Sequence, residues 1–244
     1  MTRKRTAGRG WIARSWLISA AWACGCSERR ATIDSVVVPN PTLGAVTIAV
    51  APAVNLSGSM DFDPNRFADL MAGELMHVER VSVIPVSRVL AVLSSQGTDR
   101  VHSPIHASEI AGMVGAEAIL VFAVTEYDPY DPPSVALSVQ LFAATPRAPY
   151  PGPLDSDPAG SSQANGVAAT GRVLAQTQRR VDASHADVVE EIRRYARQRS
   201  ANNSPYGWRQ YMVSQQHFIQ FCCHAAIRGL LDEQGWPVVA GGRG

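Results

Sequence analysis

The chain has 244 residues, 46% of them apolar, with 22 basic and 21 acidic side chains and a formal net charge of +1. Those values fit one globular domain and exclude a disordered or fibrous chain. Lys4 is the single lysine, so Schiff-base chemistry and a lysine-bearing phosphate loop are excluded for everything downstream of it.

Arg3, Lys4, Arg5, Arg9 and Arg14 precede a short apolar run from Trp16 to Ala23, and no acidic residue stands before Glu28. This is the pattern of a signal peptide over residues 1–25; the run is roughly half of the ~20 apolar residues that a membrane-spanning helix needs. Ala23-Cys24-Gly25-Cys26 resembles the lipobox of bacterial lipoproteins, in which a small residue precedes a cysteine that takes diacylglycerol on its sulfur. By that resemblance Cys26 is the expected lipidation site and the membrane the first partner, because more than one acyl chain gives stable attachment. Ala23 stands where the lipobox usually has leucine, and Cys24, which follows Ala23, competes as acceptor. The plainer alternative is a secretory signal with incidental cysteines. Resemblance to the lipoproteins of two-membrane bacteria, whose usual inner-membrane retention signal is an aspartate, implies that Ser27 after the cysteine directs outer-membrane sorting. Cleavage before Cys26 would leave 17 basic against 21 acidic residues, a formal charge of −4, which disfavours nucleic acid as a partner.

Residues 26–43 read as a linker, 44–236 as a single domain, 144–170 as an irregular loop rich in Pro, Gly and Ser, and 237–244 as a disordered tail. Ala45 to Ala51 is a β-branched run that reads as a buried strand. A loop through Asn55 and Gly58 leads to Asp63-Pro64, an N-cap with proline at the first helical position, followed by Phe67, Leu70, Met71, Leu75 and Val78 at helical spacing. Val81–Ile84 is a second strand. Ser87 opens a helix with Val89, Leu90 and Leu93 on one face, and Ser103-Pro104 or Ser108 opens another that Gly115 terminates. Ala118 to Thr125 is the third strand, Glu126 to Pro133 a turn, and Val135 to Phe142 an antiparallel return. Gly171 to Val181 reads as an edge strand. Ser184 with Asp187 resembles a capping box opening a helix through Val188, Ile192 and Tyr195. From Trp208 the positions Tyr211, Met212, Gln215, Phe218, Ile219, Cys222, Ala226 and Leu230 form one long apolar stripe. The fold class is therefore α/β (α+β): a mixed, partly antiparallel sheet of about five strands flanked by helices, with a long C-terminal amphipathic helix.

Ile48-Ala49-Val50-Ala51-Pro52 with Asn55-Leu56-Ser57-Gly58, then Val83 to Val89, Gly115 to Leu120 and Val139 to Phe142, resemble in order and spacing the TolB amino-terminal-domain-like fold and its CsgG–LpoB-like envelope lipoproteins. These positions are strand ends, a cap and a tight turn, so the resemblance implies fold rather than chemistry. It also implies that the chain works by protein contact in the cell envelope, facing the periplasm, as a scaffold, regulator or assembly subunit, with the partner unnamed and an oligomer left open. The Tyr127-Asp128-Pro129-Tyr130 turn and the Cys- and His-bearing last helix also look like a group of planctomycete-type lipoproteins. A pore is disfavoured, because no additional pair of long alternating hairpins is present.

Candidate chemistry is thin. Glu126, Asp128 and Asp131 lack the glycine and the repeated Asp/Asn spacing of a calcium loop, and they read as a solvated turn. Tyr127, Asp128, Tyr130 and Asp131 are the candidate partner contacts, with the tyrosines as exposed anchors. His217, Cys222, Cys223 and His224 cannot converge from one helix, so no metal is expected; Cys222 reads as a core residue and Cys223 as exposed. His77, His102, His106 and His185 have no adjacent nucleophile, and the G-x-S-x-G, H-E-x-x-H and phosphate-loop motifs are absent. No catalytic residue and no cofactor are expected. The competing reading is a periplasmic ligand-binding or hydrolytic domain.

Overall fold

The computed structural model describes Val38 and residues 45–145, 171–199 and 204–232. The signal peptide, Cys24 and Cys26, nearly all of the 26–43 linker, residues 146–170 and the 237–244 tail lie outside the described residues. Contacts divide the chain into Met1–Thr32 and Ile33–Gly244, and every described residue belongs to the second unit.

One mixed sheet organises it. Strands β1 (Val46–Val50), β2 (Val54–Asn55), β3 (Val81–Ile84), β4 (Ala118–Asp128), β5 (Ser134–Ala143) and β6 (Val173–Asp182) include a path in the order β3-β1-β4-β5-β6, with β2 pairing only β4. The β1–β3, β1–β4 and β2–β4 pairs are parallel, while β4–β5 and β5–β6 are antiparallel. The expected class therefore holds, with one strand added: Val54–Asn55, read as loop, is too short to carry a period of its own. Val38, assigned to the linker, is buried and forms a parallel bridge with Val78. Val78 consequently lies beyond the helix that its spacing suggested.

Helices cover the two faces unequally. α1 (Pro64–Leu75), α4 (Ala186–Gln198) and α6 (Gln215–Asp232) pack on the face bearing Ile48, Leu120, Phe122, Val139 and Leu141. α2 (Val86–Ser95) and α3 (Pro104–Val114) cover a smaller patch on the other, with Ala49, Ala51, Ile119 and Phe142 buried and Ile84 and Val121 partly so. Beyond them Ala136, Ser138 and Gln140 are half-buried, and Thr125, Gln178 and Arg180 are exposed.

The caps explain the boundaries. Asp63 Oδ1 accepts from the amides of Asn65 and Arg66 at 3.0 and 3.1 Å, and Ser103 Oγ accepts from the His106 amide at 3.1 Å; each cap is followed by proline, whose missing N–H costs nothing there. Gly115, at φ 80°, ends α3 in the left-handed conformation. Two expected caps differ. Ser184 spends its amide and hydroxyl on Asp182 Oδ1, so α4 starts at His185 without a side-chain cap. α2 likewise begins after Pro85 rather than at Ser87.

The long C-terminal stripe is interrupted. Trp208 lies in a 3-10 turn (Gly207–Arg209), followed by α5 (Gln210–Val213), and Ser214 is extended at φ −104° before α6 begins. No helix among the described residues is long and apolar enough to cross a membrane.

Candidate functional site

The region around Tyr130 is shaped by a β-bulge. On β4 the core-facing side chains alternate through Leu120, Phe122 and Val124, a parity that would turn Glu126 inward and Tyr127 outward. The register with β5 jumps from Val124↔Leu137 to Glu126↔Ala136, leaving Thr125 as the extra residue. One inserted residue reverses the facing of everything after it. Tyr127 now pairs with Val135 and turns inward, and the strand continues to Asp128, three residues past its expected end.

Tyr127 is therefore half-buried rather than an exposed anchor. Its ring packs edge-on against Phe62 at 5.7 Å and against Phe67 at 6.2 Å, and its hydroxyl accepts a hydrogen bond from Gln215 Nε2. Burial pushes its hydroxyl pKa up, and the Asp61 charge adds to that against the Gln215 hydrogen bond and the Arg66 charge. Glu126, turned to the opposite face, accepts from Ser134 Oγ at 2.9 Å and Arg180 at 3.0 Å. The turn proper is residues 129–133, with a cis bond at Asp131–Pro132. Asp128 Oδ1 accepts from the Tyr130 amide at 3.0 Å, and Tyr130 itself is 74% exposed.

Other exposed apolar groups lie at this end of the sheet. The β2–α1 loop, which leaves beside Val124 and returns through Phe62, carries Leu56 and Met60, the latter 96% exposed. Val213 precedes the Ser214–Gln215 step that meets Tyr127. Asp61, Asp128 and Asp131, all exposed, stand among these groups. Of the four expected contact residues, the structure brings Asp128, Tyr130 and Asp131 to the surface and makes Tyr127 their support.

A second polar centre escaped the sequence reading. Glu74 of α1 is 1% exposed. Its Oε1 accepts from Tyr195 Oη and Gln220 Nε2, each at 2.9 Å; its Oε2 is paired with Arg199, and His224 Nδ1 lies 3.5 Å away. Arg199 also reaches His77 Nε2 at 2.8 Å. Burial alone would push the Glu74 carboxyl up, but the His224 contact, the Arg199 charge and the Gln220 and Tyr195 hydrogen bonds outweigh it and hold the pKa below the usual value. Burial, with the neighbouring Glu74 charge, drives Tyr195 far up. Both carboxylate oxygens are occupied, so Glu74 is placed to join α1, α4 and α6 rather than to take a proton from a substrate. A charged residue on the Phe67–Met71–Leu75 stripe was the available signal.

Cys222 and Cys223 are both fully buried free thiols, which corrects the expected exposure of Cys223: the middle of α6 is enclosed on nearly all sides, with Phe221 to Ile227 buried throughout. Burial pushes both thiols well up. In the folded chain neither should react with maleimide at neutral pH, and both should react in urea; rapid labelling of native Cys223, read by mass spectrometry, would contradict this packing. His217 is turned to Ser214 Oγ at 2.9 Å, two helical turns before His224 on α6. His102 and His106 stack at 5.7 Å, with Thr98 Oγ1 2.6 Å from His102 Nε2, and His185 lies 3.8 Å from Asp182. Among the described residues no group of three or more His, Cys, Asp or Glu is arranged to hold a metal ion.

No family model matches the chain, and no curated protein matches it. Among solved structures, it is similar to the lipoprotein GNA1162 from Neisseria meningitidis, at 15% identity and a TM-score of 0.41 over 65% of this chain and 99% of that one. It is also similar to the LpoB C-terminal domain from Salmonella enterica, at 14% identity and a TM-score of 0.41 over 61% and 94%. PelC from Paraburkholderia phytofirmans, a dodecamer, is similar at 19% identity and a TM-score of 0.26 over 43% and 66%. Likeness this distant carries no statement about function.

Proposed function

We propose that the chain is an exported, lipid-anchored module of the cell envelope, held through Cys26, that works by contact with another envelope protein rather than by catalysis. The observation that supports this best is the end of the sheet at the β4–β5 turn. There Tyr130, Met60, Leu56 and Val213 are exposed, above a base that Tyr127, Phe62 and Phe67 make rigid. Large apolar side chains held out on a rigid base among polar groups are what anchors a protein interface. Asp61, Asp128 and Asp131 favour a partner surface that is apolar at its centre and basic around it. The saturated carboxylate of Glu74 supports the non-catalytic part of the reading.

The test is in intact cells. A photo-crosslinking residue at position 60 should give one discrete protein adduct, lost on Tyr130→Asp, and one at position 130 should give the same adduct, lost on Met60→Asp, whereas the probe at exposed Arg88 on α2 should give none. Absence of a discrete adduct from both positions defeats the contact reading. Cys26→Ser should release the protein into the soluble fraction; if membrane attachment and processing are unchanged, the anchor is elsewhere.

A further inference from the structure

Beside the Glu74 centre, β6, α4 and α6 border an open cleft of about 250 Å³. Arg179, Arg194 and Arg228, one from each element, line it, with His224 and the aromatic rings of Tyr195 and Phe221 in its wall. We propose that this cleft binds the phosphate group of a small organic phosphate. The inference is independent of the contact end around Tyr130.

The argument is one of unspent donors. Arg179 gives a single terminal nitrogen to both oxygens of Glu191, at 3.0 and 2.9 Å, and its Nε is buried without a partner. The Nε of Arg228 is 4.0 Å from Asp232, too far for a hydrogen bond. Arg194 has neither a hydrogen bond nor an ion pair among the described residues. Its neighbours on α4 show what an ordinary solvated helix face looks like: Arg193 and Arg197 both pair with Glu190 at 3.4 and 3.5 Å, and Arg193 stacks on Trp208.

The cleft thus holds three guanidinium groups against two carboxylates, with most of its N–H donors free. A guanidinium fork matches the oxygens of a phosphate two at a time, and a phosphate monoester offers three strong acceptor oxygens and close to two negative charges. Gly229 lets α6 close on β6 at the edge of the cleft, because a side chain there would begin 3.0 Å from the buried Thr177 Oγ1. The volume falls just under the ~300 Å³ at which drug-sized sites begin, so it suits a phosphate on a short carbon body. Two sources carry that chemistry, a soluble phosphomonoester and the phosphodiester headgroup of an anionic lipid.

Calorimetric titration of the full chain in detergent micelles separates them, with glycerol 3-phosphate as the monoester probe and glycerophosphoglycerol as the diester probe. Saturable one-to-one binding is expected, weakened at least about tenfold by Arg194→Ala with Arg228→Ala, because each charged hydrogen bond carries more than a factor of ten. Both side chains are substantially exposed, so the melting temperature should not move. If the double variant fails to fold, the single charge reversal Arg194→Glu should abolish binding instead. A tighter monoester assigns the site to a soluble phosphate and a tighter diester to a lipid headgroup. No saturation by either probe, or undiminished binding in a folded variant, overturns the proposal.

Discussion

Glu74→Ala is expected to cost about 3–5 kcal/mol of folding stability, the range seen when one partner of a buried ion pair is removed. The loss is large because of what stays behind. Arg199 would remain charged and mostly buried, and the Tyr195 hydroxyl and the Gln220 amide would each lose an acceptor at 2.9 Å. Denaturant unfolding measures the cost directly. The double change Glu74→Gln with Arg199→Met should cost less than the two single changes added together, since neither charge is then stranded. Strict additivity would show that the pair is not coupled.

The same carboxyl gives the protein an acid-side pH dependence with a defined sign. Its pKa is lower in the folded than in the unfolded chain, so the unfolded state binds the proton more readily. Its contribution is complete above the unfolded glutamate value and is lost as pH falls through that value toward the folded one. Between those two values the stability of Glu74→Gln should fall less steeply than that of the parent chain. Parallel profiles would remove Glu74 as the source.

Phe67→Ala is expected to cost a similar ~3–5 kcal/mol, through the cavity left by a buried ring. Phe67 is in ring contact with Phe62 at 5.2 Å and with Phe122 and Tyr127, each at 6.2 Å. It therefore carries α1, the centre of β4 and the base of the β4–β5 turn at once. Tyr127→Phe keeps the rings and loses only the hydrogen bond to Gln215, for about 0.5–1.5 kcal/mol. A Phe67→Ala loss no larger than that of Tyr127→Phe would mean that the aromatic group closes up around the gap.

The sheet and its helices were legible because their signals are local. Asp63-Pro64, Ser103-Pro104 and Gly115 act within a turn of where they stand, and Val46–Val50 and Ala118–Val124 announce burial by composition. What escaped depends on partners far along the chain. Thr125 cannot be recognised as a bulge until β5 is laid beside β4; without it strand alternation turns Tyr127 outward, and with it Tyr127 is half-buried. Cys223 could be placed only once α1, α4 and the sheet had enclosed α6. Glu74 meets residues 121 to 150 positions away, and only its presence on an apolar stripe hinted at them. Ser184 is the opposite case, a correct local signal diverted because Asp182 accepts its hydroxyl first.

Val38 joins the sheet through its bridge to Val78, just before β3 begins, at the end where the parallel strands start. Tyr130 sits past the finish of β4, whose 11 residues span about 35 Å at the rise of an extended strand. A tether upstream of Val38 would pull on one pole of the molecule while the aromatic and methionine side chains crown the other. The length of β4 would then join those two ends, which makes the central strand a strut between them.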